Sequence, residues 1–108
     1  MAELSEITPA LLKQRLDRGE RPVILDVREA GEVAIAPFAG SMHIPMGEIN
    51  ARLDELDPDA ETVVVCHHGI RSAQVAAYLA HAGFRSVLNL AGGADAWALT
   101  VDPGMRRY

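Results

Sequence analysis

The stretch that decides the fold reads Thr62-Val63-Val64-Val65-Cys66, followed without a break by His67-His68-Gly69-Ile70-Arg71-Ser72. The segment up to Cys66 is apolar or β-branched almost throughout, the pattern of a strand covered on both faces. Gly69 then lets the chain turn, and an alanine-rich segment from Ser72 puts Val75, Ala76 and Leu79 on one helical face before Gly83 ends it. The unit is a strand, a tight loop and a helix, with Cys66 at the carboxyl end of the strand.

The same alternation continues in both directions. Upstream, Thr8 is placed to cap a helix over residues 9–18 with Pro9 at its first position, Leu11, Leu12 and Leu16 on one face and Gly19 as its stop. Residues 23–27, entered through Pro22, form a short apolar run that predicts a second buried strand. One helical turn is expected at residues 29–32 and a short extended piece at 42–44, in a segment otherwise held as loop by Pro37, Gly40 and Pro45. Met46, Ile49, Leu53 and Leu56 recur at spacings of three and four, which predicts an amphipathic helix over 46–56, closed by Asp57-Pro58-Asp59. Downstream, residues 87–90 read as another strand, Ala91-Gly92-Gly93 as a turn and residues 94–99 as a final helix, with a loose tail expected after Pro103. Strands alternating with helices imply right-handed crossovers and a parallel sheet between helical layers, an α/β fold built as one domain over residues 1–108.

Composition agrees with that scale. The chain has 108 residues, enough for one core, and 49% apolar with 23% charged residues is ordinary globular usage. Ten Lys and Arg against fifteen Asp and Glu give a net charge of -5, the wrong sign for binding nucleic acid or an anionic membrane surface. No apolar run approaches membrane-spanning length, so a cytoplasmic location is the default expectation. Cys66 is the sole cysteine, which excludes an internal disulfide and a metal site built on several thiolates.

Ligands of parallel sheets bind beyond the carboxyl ends of the strands, and Cys66 stands there. The loop after it can turn successive N–H groups inward as an anion cradle, joined by the unpaired N–H groups of the next helix. A thiol with an ordinary pKa of about 8.5 is only about 3% ionised at pH 7. One helix terminus supplies at most about 2 kcal/mol, so loop N–H groups and nearby cations must supply the rest of an activated thiolate. Free cysteine is also a common small core residue. A core-filling cysteine, however, needs neither the glycine loop nor Arg71 at its mouth.

On these residues the chain resembles the rhodanese family of sulfurtransferases. Cys66-His67-His68-Gly69-Ile70-Arg71-Ser72 is similar to the active-site signature of its single-domain members, Asp26-Val27-Arg28-Glu29 to a family strand end, and Gly92-Gly93 with Trp97 to a closing motif. The segment Ile35-Ala36-Pro37-Phe38-Ala39-Gly40-Ser41-Met42-His43-Ile44-Pro45 departs from the usual family sequence. The resemblance implies a three-layer α/β/α sandwich with a largely parallel five-stranded sheet. It also implies transfer of a sulfane sulfur through a Cys66 persulfide, from thiosulfate or a similar anionic donor to cyanide or a thiol, with no metal or organic cofactor.

In that reading Cys66 and Arg71 are catalytic. His67, His68, Gly69, Ile70, Arg71 and Ser72 bind substrate, the backbone N–H groups of residues 67–71 facing the sulfur and the two histidines adding positive charge at the rim. Asp26 and Arg28 are structural ion-pair partners, and Arg71 either draws in the donor or steadies the loop by pairing with Asp26. Trp97 is core, and adjacent histidines in a tight loop are poor joint metal ligands, with His43 or His81 as the only further imidazoles. Three other functions compete. A cysteine-dependent phosphatase uses a loop one residue longer than this one, a non-catalytic binding module would not need the cysteine, and a relay would pass the same persulfide to a protein acceptor.

Overall fold

Valine-rich runs covered on both faces belong in the middle of a parallel sheet, and the computed structural model, which describes residues 5–108, places them there. The strands are β1 (Glu6–Ile7), β2 (Val23–Asp26), β3 (Met42–His43), β4 (Thr62–Val65) and β5 (Val87–Leu90), and the helices are α1 (Pro9–Asp17), α2 (Ala30–Ile35), α3 (Ile70–His81) and α4 (Gly93–Thr100). The sheet order is β1-β5-β4-β2-β3 with every pairing parallel, so β4 lies at the centre. Because the strands run the same way, Asp26, Cys66 and Ala91 emerge along one edge.

Period-two alternation divides the core. Val63 and Val65 join Ile24, Leu12 of α1 and Trp97 of α4 on one face, with the Phe38 ring packed on Trp97 at 5.0 Å. Val64 and Cys66 join Leu25 and Val27, together with Val75, Ala76 and Leu79 of α3, on the other. Strand parity therefore turns the cysteine toward the helix that follows it.

Several expectations need correction. Thr8 does cap α1, its Oγ1 accepting from the Leu11 N–H at 3.1 Å, but Leu11 itself is exposed and only Leu12 and Leu16 face the core. The turn expected at 29–32 is extended into α2, and α3 starts at Ile70, which brings Arg71 and Ser72 into its first turn. Residues 46–56 form two 3-10 turns, Met46–Glu48 and Leu53–Glu55, in place of a helix. Ile49 and Leu56 point inward as the spacing requires, but Gly47 and Asn50 lower helix propensity between them, and a spacing of three suits 3-10 geometry equally well. The edge strand β1 has no sequence pattern of its own and exists through pairing with Asn89 and Leu90.

The segment after Pro103 is no loose tail: Met105 is buried, and Tyr108 packs on the loop that follows β4. Residues 1–4 of the expected domain lie outside the described residues. No helix among the described residues is long and apolar enough to cross a membrane.

Candidate active site

Cys66 follows β4 with 1% of its surface exposed, and the chain beyond it is folded around the sulfur. The carbonyls of Cys66 and His67 are drawn outward by α4, accepting from the N–H groups of Ala94 at 2.8 Å and Asp95 at 3.1 Å. These donors are two of the groups a helix start leaves unpaired. In a trans peptide C=O and N–H point opposite ways, so fixing the carbonyls turns the following N–H groups toward the sulfur. Gly69, at φ +97, completes the turn and donates its N–H to Cys66 Sγ at 3.1 Å, while Ser72 Oγ lies 3.3 Å from the same atom.

Burial pushes the Cys66 thiol up. The Ser72 hydroxyl and the N–H groups of Ser72, Gly69 and His68 outweigh it together and hold the thiol below its ordinary value. Donors on residues 68, 69 and 72 thus face the sulfur, two of them within the expected 67–71 and Ser72 just beyond it. Ile70 contributes an exposed apolar side chain at the mouth, 72% accessible.

Gly93 is the other glycine the loop requires. A Cβ there would stand 2.4 Å from the Cys66 oxygen and 2.5 Å from the His67 oxygen, at a φ of +63 that disfavours any side chain. Gly93→Ala is therefore expected to push the loop off α4 by up to about 1 Å and lower kcat/KM for any reaction at Cys66 about a hundredfold while the helices remain. Steady-state assays beside far-ultraviolet circular dichroism test this, and parental turnover would show that the clamp is not needed.

Arg71 does not reach Asp26. Its guanidinium forks onto Glu32, with Nη1 to Oε1 at 2.6 Å and Nη2 to Oε2 at 2.9 Å. Asp26 is already taken: its carboxylate accepts from the Arg28 backbone N–H, from Nε and from Nη2, the last at 2.7 Å, and both side chains are fully buried. Arg28 also donates to the Ala36 carbonyl and to the Tyr108 hydroxyl, and its own carbonyl is bonded by His43 Nε2. The Tyr108 hydroxyl donates a hydrogen bond to Glu32 Oε2 at 2.8 Å. The Arg71 guanidinium, set against burial but helped by the Glu29 N–H and Tyr108, holds the Glu32 carboxyl down to about 2.

His67 is stacked between His68 and the Tyr108 ring, each centroid 3.9 Å away. Burial and then His68 depress its imidazole below the ordinary value, which disfavours the charge expected of His67 at the rim. His67, His68 and Asp95 bring ligand atoms within 4.8 Å of one another. The two ring planes differ by only 17°, so their in-plane lone pairs run side by side, and Asp95 is engaged by Arg107 at 2.9 Å. This trio does not converge on one ion. Glu32, Asn89 and Tyr108 were not evident as site residues from the sequence. Asn89 alone carried a signal, an amide inside the apolar run Val87-Leu88-Asn89-Leu90.

Comparison with known proteins agrees with this architecture. The family model described as Rhodanese-like domain matches residues 8–100. A Bacillus subtilis protein named putative sulfurtransferase YtwF is 41% identical over 95 residues, spanning 88% of this chain and 91% of its own. Thiosulfate sulfurtransferase GlpE of Pseudomonas fluorescens is 36% identical over 100 residues, 93% of this chain and 90% of its own. The crystal structure of a rhodanese-like domain protein from Staphylococcus aureus superposes with a TM-score of 0.85 at 31% identity, covering 97% of this chain and 99% of that one.

Proposed function

The chain belongs to the rhodanese-like domain family, and from that premise we propose that it is a sulfurtransferase that carries sulfane sulfur as a Cys66 persulfide, taken from thiosulfate or a similar donor and passed to a thiol or cyanide. The observation that carries this reading is the convergence of the Gly69 N–H and the Ser72 hydroxyl on one buried sulfur at the carboxyl edge of the sheet. The Cys66 thiolate attacks the outer sulfur of thiosulfate, a new S–S bond forms, and sulfite leaves with the electron pair of the bond that breaks. An acceptor nucleophile then attacks the outer sulfur of the persulfide and returns Cys66 as thiolate. The inward N–H groups stabilise the anionic sulfur in both resting states, and ping-pong kinetics follow from the shared nucleophile. Intact mass after thiosulfate treatment tests the first half: the protein should gain one sulfur atom, returned on adding cyanide, and an unchanged mass overturns the reading.

Arg71 contributes first by holding the loop, because Glu32 already balances its charge. Arg71→Lys keeps the charge and loses the planar fork, so it should cost about 1 kcal/mol of stability and reduce kcat/KM for thiosulfate several-fold. The stability that Glu32 adds through this pair is present in full above its ordinary value of 4.5 and is lost as pH falls toward about 2. Urea denaturation along that range should therefore converge for the parent and Arg71→Lys near the acid end. A constant difference between them would exclude the ion pair as its source.

A protein acceptor is the second reading, favoured by Ile70, a loop residue four positions after Cys66 whose apolar side chain is 72% exposed. Faster sulfur transfer to one protein thiol than to small thiols, lost in Ile70→Asp, is its expected signature.

A further inference from the structure

Asn89 is an amide in the apolar strand β5 and is 2% exposed. Its Nδ2 donates to the Gly69 carbonyl at 3.0 Å and to Glu6 Oε2 at 3.3 Å. A carbonyl and a carboxylate can only accept, so the amide has a single orientation and Oδ1 must face the Ser72 hydroxyl, 2.5 Å away. Ser72 Oγ is in turn 3.3 Å from Cys66 Sγ. The hydroxyl has one proton and two acceptors competing for it.

Resting on the reading of Cys66 as the sulfur carrier, we propose that Asn89 is a positioning residue for the transfer reaction: its carboxamide orients the Ser72 hydroxyl so that the thiol of Cys66 meets a lone pair, and the sulfur receives the hydroxyl proton only as an anion. In the thiol state the chain runs from S–H to Ser72 Oγ and from the Ser72 O–H to Asn89 Oδ1. On ionisation the hydroxyl rotates about its Cβ–Oγ bond, the O–H turns to sulfur, and Oδ1 is left without that donor. A buried acceptor that loses its partner opposes the change. Asn89 thereby restrains the anion through Ser72, while its Nδ2 holds the Gly69 carbonyl and keeps the cradle in place. The loop is made to favour a charged sulfur, and the amide behind it limits how far that preference runs.

The other groups facing this sulfur bear on any titration of it. They are the His68 and Gly69 N–H groups of the loop, Arg71 of α3 with its charge matched by Glu32 of α2, the His67 imidazole next along the loop, and Glu6 of β1 beyond the amide. Replacing Asn89 with leucine removes the Glu6 contact and the hydrogen bond to the Gly69 carbonyl, and both losses are the same whether or not Ser72 is present. A double-mutant cycle separates the two effects, read as ultraviolet absorbance of the lone thiolate against pH, with Cys66→Ser as the blank.

Asn89→Leu should raise the ionisation constant of Cys66 at least about threefold when Ser72 is present and leave it unchanged or lower it when Ser72 is alanine. An equal change in both backgrounds would mean that Asn89 acts only as a loop anchor and would overturn the proposal. Should the leucine variant unfold, Asn89→Asp serves, because its carboxylate still accepts from Ser72. It should then lower the constant more with Ser72 present than with alanine, and equal changes again refute it. The titration does not depend on sulfur transfer. A parent protein that gains no sulfur from thiosulfate would remove the functional reading and leave the Asn89–Ser72 coupling to stand or fall on its own measurement.

Discussion

Cys66→Ser is expected to retain the fold and lose sulfur transfer completely. The serine hydroxyl occupies less space than the thiol, can accept from the Gly69 N–H and can donate to Ser72 Oγ, so the cradle stays satisfied and the core on the α3 side is little disturbed. What is lost is an ionisable group: hydrogen bonds hold the thiol below its ordinary value and favour the thiolate nucleophile, whereas a hydroxyl offers no accessible anion. The variant should show a parental circular dichroism spectrum, no added mass after thiosulfate treatment and no cyanide-dependent turnover. Turnover near the parent's would sink the assignment of Cys66 as the sulfur carrier. A cysteine that merely fills the core would give a small stability change and leave turnover intact.

The parts legible in the sequence are those whose information is local. The run Thr62–Val65 announces a central strand because both its faces need apolar cover, and Val75, Ala76 and Leu79 announce α3 through their spacing. Cys66 and Gly69 were legible as a loop for the same reason, since one ends a strand and the other permits a turn. The missed features all depend on partners distant in the chain. Strand β1 is two residues long and is visible only against β5. The partner of Arg71 is not legible in the sequence, because Asp26, the partner in one of the two roles open to it, is consumed by Arg28 two residues on, which leaves Glu32 on α2 to take the fork. The segment after Pro103 reads as polar and irregular, yet the Tyr108 ring finds His67 and its hydroxyl finds Glu32, contacts that no spacing rule foresees. In residues 46–56 the apolar pattern was right and the helix type wrong, because a period of three is common to both geometries when glycine and asparagine intervene.

The buried pair Asp26–Arg28 carries the largest stability expectation. Both side chains are 0% exposed, and the Asp26 carboxylate answers the guanidinium with bonds of 3.0, 3.2 and 2.7 Å. Asp26→Asn preserves size and removes the counter-charge, so the Arg28 cation remains in the core with, among the described residues, the Ala36 backbone carbonyl and the Tyr108 hydroxyl as its further partners. Breaking one side of such a pair costs about 3–5 kcal/mol, a large share of the roughly 5–15 kcal/mol that holds a domain of this size together. The midpoint of urea denaturation should fall accordingly at an unchanged slope. Replacing both partners, Asp26→Leu with Arg28→Met, removes the charge together with its need for one and should recover most of the loss. Below its unfolding midpoint Asp26→Asn should also transfer sulfur more slowly, because Arg28 and Tyr108 help position Glu32, and Glu32 holds Arg71. A loss under about 1 kcal/mol for the single replacement would mean that Arg28 finds water or another acceptor, and the pair would then no longer explain why this end of β2 is ordered beside the sulfur.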